Sequence, residues 1–374
     1  MNYDFVIIGA GFAGCVLAER IANLLNKTVL IIERRNHIGG NCFDYFDENG
    51  ILVHKYGPHI FHTNNKKVWD YLSQFTNWHF YFHKVLAVVE GKKVPLPFNL
   101  NSIDLLFPEH LSTKFAEKLV NKYGYGLKIP ILKLKEDSDD DLKFIAEYIY
   151  SNVFLGYTTK QWDLNPNELD YSVTSRVPIL IGRDDRYFQD TFQGIPKQGY
   201  THLFQNLLNN KNISVLLNTD YKSILDDLKY KKLIYTGEID YFFDFEYGYL
   251  PYRSLEFDFR SIKQPNYQET AQVNYPNNYD FTRITEFKHF LPYNSEFTTI
   301  ALEYPTKYER NKNQPYYPIP KKENDELYQK YWQLAQQLKG KVYFVGRLAE
   351  YKYYNMDQVV ASALMLFNQI ASVE

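Results

Sequence analysis

The chain has little cysteine, almost no net charge and no long apolar run. It has 374 residues but two cysteines, which cannot form a disulfide framework, so a reducing compartment such as the cytoplasm is expected. The formal net charge is −2, so the surface as a whole has no attraction for nucleic acid or for an anionic membrane. We see no signal segment and no bilayer-spanning run, and we therefore expect a soluble cytoplasmic protein without membrane insertion.

The patterns of a metal centre and of a serine nucleophile are also missing. His59 and His62 lie close together in the chain, but no cysteine or acidic cluster accompanies them, so we expect no metal site. No serine occupies the strand-to-helix turn that exposes the nucleophile of a hydrolase. Metal-dependent chemistry and serine-type acyl transfer are therefore disfavoured.

A glycine turn near the N-terminus is the first positive signal. The stretch "FVIIGAGFAGCVLAERI" has the pattern of a strand, a turn and a helix, and "KTVLIIE" adds a second strand that ends at Glu33. Gly9 makes the tight turn, Gly11 lets the backbone approach a pyrophosphate, and Gly14 lets helix and strand pack closely. The helix N-terminus faces the anion, and the acid can bind ribose hydroxyls. The sequence therefore predicts a dinucleotide site.

Three other regions differ in composition from this unit or repeat it. Residues 102–150 have helical periodicity, and their acidic run "EDSDDD" is typical of a helix start, because negative charge is favoured there. Residues 212–310 contain aromatic and β-branched runs with little helix between them, which predicts an antiparallel sheet. Near the C-terminus, "KVYFVGR" and "DQVVASALMLFNQIA" are similar to the first strand and helix. A dinucleotide domain built from both ends of the chain is therefore expected.

Several longer motifs carry a resemblance to a known family. They are "KYGPHIFHT", "GYTTKQW", "DDRYFQDTFQGIPKQGYT", "QPYYPIP" and "VGRLAEYKYYNMDQ", in this order. With the glycine turn, they closely resemble prokaryotic UDP-galactopyranose mutases over nearly the whole chain. The resemblance implies a homodimeric isomerase that converts UDP-galactopyranose to UDP-galactofuranose for polysaccharide biosynthesis. It also implies an FAD cofactor, active when reduced, whose N5 atom attacks the anomeric carbon with no net redox change.

The composition and the resemblance together predict an α/β fold with three parts: a discontinuous Rossmann-like FAD-binding domain, a helical domain with a mobile substrate loop, and a twisted antiparallel β-sheet domain. The predicted bounds are 1–98, 186–230 and 335–374 for the FAD-binding domain, 99–185 for the helical domain, and 231–334 for the sheet domain, which also draws on 78–98.

A second glycine turn favours FAD over NAD at the dinucleotide site. Gly39 and Gly40 follow the acidic strand end in "ERRNHIGGNCF", an arrangement common in flavoproteins with two dinucleotide-binding motifs. By the resemblance, Arg347 pairs with the electron-rich edge of the reduced ring, and the dipole of the last helix stabilises its negative charge. The implied cofactor-binding residues are Gly9, Gly11, Phe12, Ala13, Gly14, Glu33, Arg34, Gly40, Asn41, His59, Ile60, Gly346, Arg347, Asn355, Met356 and Asp357.

Arginine and aromatic residues in the same motifs indicate a nucleotide-sugar substrate. Arg176 and Arg283 come from separate segments and could clamp a pyrophosphate, which would favour bond cleavage as UDP leaves. Tyr157 and Trp162 could stack on a uracil ring, although Trp162 fits core packing at a helix end as well. The resemblance makes Arg176, Arg283 and His62 catalytic. The implied substrate-binding residues are Tyr157, Trp162, Arg176, Tyr187, Phe188, Arg283, Tyr317, Tyr353, His83 and Asn355.

One departure from the family pattern leaves the sugar open. The family usually has an acid before Met356, whereas this chain has Asn355, an amide without charge. A mutase for dTDP-fucopyranose or for UDP-N-acetylgalactosamine is therefore an alternative. An FAD oxidoreductase of the amine-oxidase type would share the glycine turn and Glu33 but would not need the two arginines. A non-catalytic nucleotide-sugar binder would not need the flavin, so purified protein without yellow colour would favour it.

Overall fold

The computed structural model of the chain describes residues 2–164 and 178–374. The strands, β1 to β19 in chain order, are Asn2–Ile8, Val29–Ile32, Asp44–Phe46, Leu52–His54, Phe61–Thr63, Trp78–Phe80, Val85–Val89, Lys92–Leu96, Lys128–Pro130, Pro178–Leu180, Phe192–Pro196, Ile213–Leu216, Lys229–Tyr235, Tyr252–Ile262, Gln272–Asn274, Arg283–Glu286, Thr298–Lys307, Tyr317–Pro318 and Val342–Phe344. The helices, α1 to α11 in chain order, are Phe12–Leu24, Lys66–Leu72, Leu100–Leu106, Glu109–Tyr123, Ile131–Lys135, Asp140–Ile149, Gly156–Trp162, Tyr200–Leu207, Ile239–Phe242, Lys322–Gln337 and Met356–Ala371. Within the described ranges, every helix is too short or too polar to be a transmembrane span.

A parallel sheet of five strands, in the order β12-β2-β1-β13-β19, carries the two ends of the chain. Its central strands β1 and β2 come from short apolar runs that are largely buried, as expected for parallel strands covered on both faces. Helices α1 and α11 share one core with these strands, which includes Phe5, Ile7, Val16, Ala363 and Phe367. The discontinuous, Rossmann-like part of the predicted fold is therefore confirmed.

A second sheet of seven strands has the order β18-β14-β17-β16-β15-β7-β8. Its longest pair is antiparallel and runs from Arg253 opposite Lys307 to Ile262 opposite Thr298. Strand β15, however, pairs in parallel with β7. The prediction of an antiparallel sheet is thus right for most pairs and wrong for this one, because β15 reaches the hairpin β7–β8 from a distant part of the chain.

Two strands from the region predicted to be antiparallel belong to the parallel sheet. β12 runs parallel to β2, and β13 runs parallel to β1 on its other side. Lys229–Tyr235 is one continuous strand of the parallel sheet, and it crosses the approximate boundary that we predicted at residue 231. The composition misleads here because the connection between β12 and β13 contains two short 3₁₀ turns, Tyr221–Ser223 and Leu225–Asp227, instead of a crossover α-helix.

Helices α3 to α6 pack against the hairpin β7–β8. Their apolar side chains share one core with the hairpin, which includes Val85, Val94, Phe115, Leu119 and Ile145. The acidic run does begin a helix, as predicted: Asp139 is the N-cap of α6, and its carboxylate accepts from the backbone N–H of Asp141 and Leu142. A π-helical segment, Tyr150–Leu155, then joins α6 to α7 and carries the chain to the second sheet.

One carboxylate is completely buried at the end of β16. Glu286 accepts hydrogen bonds from the backbone N–H of Tyr267 and Gln268 and from the hydroxyl of Thr298. Nε2 of His289 lies 3.2 Å from the same carboxylate. Burial opposes the negative charge, but these donors keep the pKa of Glu286 below its usual value. The carboxylate in turn raises the pKa of His289.

We expect Glu286→Gln to lower the free energy of unfolding by about 2–4 kcal/mol, because its amide N–H would face a donor in a buried site. The pair also makes stability depend on pH. The pKa of Glu286 is lowered on folding, so its contribution is present above pH 4.5 and is lost as the pH falls through the folded value. The pKa of His289 is raised, so its contribution is complete below pH 6.5 and is lost as the pH rises through the folded value.

Urea unfolding at pH 6 and pH 8 measures the histidine contribution. The wild type should be less stable at pH 8, and the difference should shrink in His289→Gln. An unchanged difference in the variant would contradict this assignment.

Candidate active site

A cleft runs along the carboxyl ends of the parallel strands. Its lining residues follow β1, β2, β12, β13 and β19, at the edge where open α/β sheets bind their ligands. Of the residues predicted to bind the cofactor, the cleft brings together Gly9, Gly11, Phe12, Ala13, Glu33, Arg34, Gly40, Asn41, His59, Gly346, Arg347 and Met356.

The other predicted cofactor residues lie behind this lining. Gly14 packs against the glycine turn, and Ile60 is buried in an apolar core. Asn355 is the N-cap of α11. Asp357 follows in the first turn of that helix and accepts from the hydroxyl of Thr63 at 2.8 Å. These positions support the cleft wall at the start of α11 and under the turn.

Two glycines of the first turn leave no room for a side chain. Gly9 has a φ of +102°, and a Cβ there would lie 2.2 Å from Oγ1 of Thr236. A Cβ on Gly14 would lie 2.0 Å from the carbonyl oxygen of Gly9. Gly11 differs, because it is the N-cap of α1 with a φ of −81°, and the nearest atom to its Cβ would be 3.9 Å away in Gly40. The space in front of Gly11 is open cleft, where an anion would meet the helix N-terminus.

Glu33 ties the glycine turn to the end of β2. Its Oε2 accepts from the backbone N–H of Ala10 at 2.8 Å, and its Oε1 accepts from the backbone N–H of Arg35 at 2.9 Å. Each carboxylate oxygen keeps a second lone pair for a ribose hydroxyl. Arg35 stacks on Tyr56, and its Nη1 is buried with no partner in the described part of the chain. This wall of the cleft therefore offers both an acceptor and a donor to a ligand.

Sequence reasoning missed the part of the cleft that follows β12 and β13. The missed lining residues include Thr219, Asp220, Tyr221, Thr236, Gly237, Glu238 and Tyr241. Glu238 pairs with Arg34 across the cleft, at 3.3 Å. A signal exists in "KLIYTGE", an apolar strand followed by a glycine and an acid, but the composition around it indicates an antiparallel sheet.

Two histidines fix the loop before β5. Nδ1 of the fully buried His54 accepts from the backbone N–H of His59 at 3.0 Å. Nδ1 of His59 lies 2.7 Å from the carbonyl oxygen of Gly57, so it carries the proton and donates it. Burial lowers the pKa of His59 to about 4 and takes the pKa of His54 well below its usual value. This wall of the cleft is therefore polar but uncharged at neutral pH.

Arg283 stands at the start of β16, in a two-point contact with Glu303 of β17. Its Nε and Nη2 lie 2.7 and 2.6 Å from Oε2 of the carboxylate, which is 1% exposed. Burial disfavours the charge, but Glu303 raises the pKa of Arg283 above its ordinary value, and nearby Tyr157 and Tyr317 add to the shift. The guanidinium is therefore always charged and firmly oriented.

Aromatic rings form a cluster between α7 and the C-terminal segment. The ring of the buried Trp162 lies 6.2 Å from that of Tyr317 and 5.8 Å from that of Tyr353, between centroids. The two tyrosine rings are 5.1 Å apart, edge to face. Arg347 lies over both, at 5.4 and 5.8 Å from their centroids. The structure thus brings these predicted substrate residues together beside a predicted cofactor residue.

A second predicted group surrounds His62 on β5. Nδ1 of His62 lies 2.8 Å from Oδ2 of Asp190, and its ring stacks on Phe188 with centroids 3.6 Å apart. The backbone N–H of Tyr187 donates to the carbonyl of the buried His83 at 2.7 Å. Burial lowers the pKa of His83 to about 3. The contact with Asp190 orients the ring of His62 through Nδ1 and leaves Nε2 for a ligand.

The two groups adjoin the cleft and each other. His59 lies in the cleft lining, and the charge of Arg283 contributes, after burial, to the lowered pKa of both His83 and His59. Arg176, predicted as the second arginine of the clamp, lies outside the described residues. In the part of the chain that the structure describes, no group of three His, Cys, Asp or Glu side chains could hold a metal ion.

Comparisons with known proteins agree with this geometry. A family model described as UDP-galactopyranose mutase matches residues 152–353, which carry α7, Arg283, Tyr317 and Tyr353. A model described as an NAD(P)-binding Rossmann-like domain matches residues 7–75, which carry the glycine turn. The first match also includes the cleft residues Thr236, Glu238 and Arg347.

Individual relatives match along nearly their whole length. The chain is 37% identical over 373 residues to a probable UDP-galactopyranose mutase of Klebsiella pneumoniae, covering 99% of this chain and 95% of that protein. It is 36% identical over 366 residues to a dTDP-fucopyranose mutase of Escherichia coli, covering 96% of each. The crystal structure of reduced UDP-galactopyranose mutase matches with a TM-score of 0.75 at 19% identity, over 100% of this chain and 96% of that one. This last similarity shows the fold.

Proposed function

Because this chain belongs to the UDP-galactopyranose mutase family, we propose that it interconverts UDP-galactopyranose and UDP-galactofuranose. The chain is a nucleotide-sugar mutase, an enzyme of the isomerase class. The observation that carries the proposal is the position of Arg283. This arginine is held by the buried Glu303 and interacts with Tyr157 and Tyr317, in a chain that also has a dinucleotide cleft. A flavoprotein that oxidises amines has no diphosphate to bind and no need of such an anion site.

FAD is the cofactor of this cleft, and the residues present fit it. The open space before Gly11 suits a pyrophosphate, Glu33 suits a ribose, and the unpartnered Nη1 of Arg35 suits a further acceptor. When bound and reduced, FAD supplies a nucleophile, its N5 atom, for the anomeric carbon. Burial keeps both His59 and His83 neutral at neutral pH, because it lowers the pKa of each.

Arg283 has the geometry to stabilise the leaving diphosphate. Breaking the bond between the anomeric carbon and the phosphate oxygen adds negative charge to the phosphate, and a fixed guanidinium stabilises that charge more than the ground state. Glu303 holds the guanidinium in place, so little reorganisation is needed during the reaction. The hydroxyls of Tyr317 and Tyr353 can each donate to phosphate without adding charge. Nε2 of His62 can accept from a sugar hydroxyl.

A second candidate substrate is dTDP-fucopyranose. The relative of that name in Escherichia coli is as similar to this chain as the galactose mutases are. Asn355 stands where the family usually has an acid. Its amide oxygen is a weaker hydrogen-bond acceptor for a sugar hydroxyl than a carboxylate is. The uracil or thymine end does not separate the two, since a stacked aromatic ring accepts either pyrimidine.

The test is an anaerobic incubation of FAD-loaded enzyme with UDP-galactofuranose and, separately, with dTDP-fucofuranose. Each is run with and without dithionite, and the nucleotide-sugars are separated by chromatography. We expect conversion of UDP-galactofuranose to the pyranose after reduction and not before it. Conversion of the dTDP sugar alone would replace the first candidate by the second. No conversion of either sugar by the reduced enzyme would overturn both.

A further inference from the structure

A lysine in the motif "GYTTKQW" has no role in the function described above. Lys160 lies in α7, three residues after Tyr157 and two before Trp162. Its Nζ donates to the backbone carbonyls of Tyr275, Tyr279 and Phe281, at 2.5, 3.1 and 3.1 Å. An ammonium group has three N–H donors, so this contact uses all of them. Within residues 2–164 and 178–374, Lys160 has no ion pair, so its contacts with the carbonyls serve to link two segments of the chain.

The segment that Lys160 binds leads directly to Arg283. Tyr275 and Phe281 lie in the connection between β15 and β16, and Arg283 begins β16 two residues after Phe281. The hairpin is closed by a hydrogen bond from the backbone N–H of Tyr275 to the carbonyl of Thr282. The ammonium of Lys160 therefore couples the helix that carries Tyr157 and Trp162 to the strand that carries Arg283.

Neighbouring contacts bring α7 close to this connection. A Cβ on Gly156 would lie 2.4 Å from the carbonyl oxygen of Pro276, so the helix start packs on it without a side chain between them. Nδ2 of Asn277 donates to the carbonyl of Asn152 at 2.7 Å. At the other end of α7, Nε of Arg253 donates to the carbonyl of Gln161 at 3.0 Å. These contacts hold α7 against the connection between β15 and β16, and the hydrogen bonds of Lys160 fix the position of the helix along that connection.

We propose that Lys160 is a positioning residue that sets the distance between the aromatic side chains of α7 and Arg283, and so sets the affinity for the nucleotide part of the substrate. The inference rests on the proposed function, because it assumes that a base lies against the aromatic side and a diphosphate against the arginine. Bidentate and stacked contacts depend on close geometric fit, so displacing one side of the site weakens nucleotide binding. Lys160 contacts neither the base nor the diphosphate, so it acts on their binding through the position of the backbone.

The experiment measures the dissociation constant of UDP for FAD-loaded enzyme by calorimetry, well below the melting temperature. Lys160→Met keeps the aliphatic stem and removes the ammonium. Because Glu303 still holds Arg283, the groups that move are the aromatic side chains of α7, so we expect UDP binding to weaken and KM to rise by about tenfold or more, with kcat lowered by less than about threefold. Lys160→Arg, which keeps a charged donor, should recover part of the affinity.

A matched control is Lys288→Met. Nζ of Lys288 also binds two backbone carbonyls, those of Pro265 and Ser295, at 2.8 and 2.5 Å, but beside a different turn of the sheet. Its loss should lower the melting temperature and leave UDP affinity unchanged. If Lys160→Met behaves in the same way as this control, Lys160 is merely structural and the proposal is overturned.

A second variant keeps the test open if Lys160→Met does not fold. Gly156→Ala places a methyl group against the carbonyl of Pro276 and shifts α7 without touching the lysine. We expect weaker UDP binding here too, and unchanged binding in Gly156→Ala would contradict the proposal. Wild-type enzyme that binds neither UDP nor dTDP would instead contradict the proposed function, so the two failures are distinct.

Discussion

Arg283→Ala should reduce kcat/KM by about 10³-fold or more, while the protein still binds FAD. The substitution removes a charge that we propose binds the diphosphate, and it leaves Glu303 buried without its partner. The remaining carboxylate would then repel the substrate that the arginine attracted. Turnover of UDP-galactofuranose by the dithionite-reduced enzyme measures the effect, and the flavin absorbance of the purified variant reports cofactor content.

Two companion variants separate charge from geometry at Arg283. Arg283→Lys keeps the charge but cannot bind Glu303 through two nitrogens at once, so an intermediate loss is expected. Glu303→Gln keeps the arginine but holds it less firmly. It should lower kcat/KM less than either substitution of Arg283 does. If Arg283→Ala retains turnover within about tenfold of wild type, the arginine does not stabilise the leaving group and the proposed mechanism is wrong.

Gly11→Ala should lower FAD affinity by roughly two orders of magnitude, equivalent to about 2.7 kcal/mol, and leave the apoprotein folded. The added methyl group meets no protein atom closer than 3.9 Å, and the φ of −81° suits alanine, so the fold tolerates it. The methyl group instead occupies the space through which the backbone approaches a pyrophosphate. Flavin fluorescence during titration of apoprotein gives the affinity, and thermal melting of the same sample gives the stability.

The matched control for Gly11 is Gly182→Ala. Gly182 also accepts a Cβ at ordinary contact distance, 3.7 Å from Leu180, and it lies outside the cleft. The control should bind FAD as the wild type does. Equal FAD affinity in Gly11→Ala and wild type would show that the cofactor does not pass close to this turn.

The sequence predicts the dinucleotide cleft well at its first two strands and poorly at the next two. Gly9, Gly11 and Glu33 belong to a local βαβ unit, in which spacing alone fixes what lies next to what. Thr236 and Glu238 reach the same cleft from more than 200 residues away, through a strand whose pairing partner is β1. A strand of aliphatic and aromatic residues looks alike in a parallel and an antiparallel sheet when no helix separates it from its neighbours, so composition could not decide.

The sequence also predicts only part of the contacts of the proposed substrate residues. The motifs indicated Arg283, Tyr317 and Tyr353, but nothing in their spacing revealed the pairing of Arg283 with Glu303, which depends on the register between β16 and β17. The sequence also could not predict the contacts of Lys160. Its three partners are backbone carbonyls, which do not depend on the type of side chain. The homodimer, the cytoplasmic location and the part played by Arg176 stay predictions.

The arrangement of the parallel sheet has a consequence for the order in which the protein folds. Strand β13 has β1 on one side and β19 on the other, and β19 leads directly to Gly346 and Arg347 of the cleft. Until β19 pairs with it, β13 is an exposed edge on which another chain could pair. Pairing of β19 covers that edge and brings Gly346 and Arg347 to the cleft in the same step, so we expect folding of this edge and assembly of the cofactor cleft to be coupled.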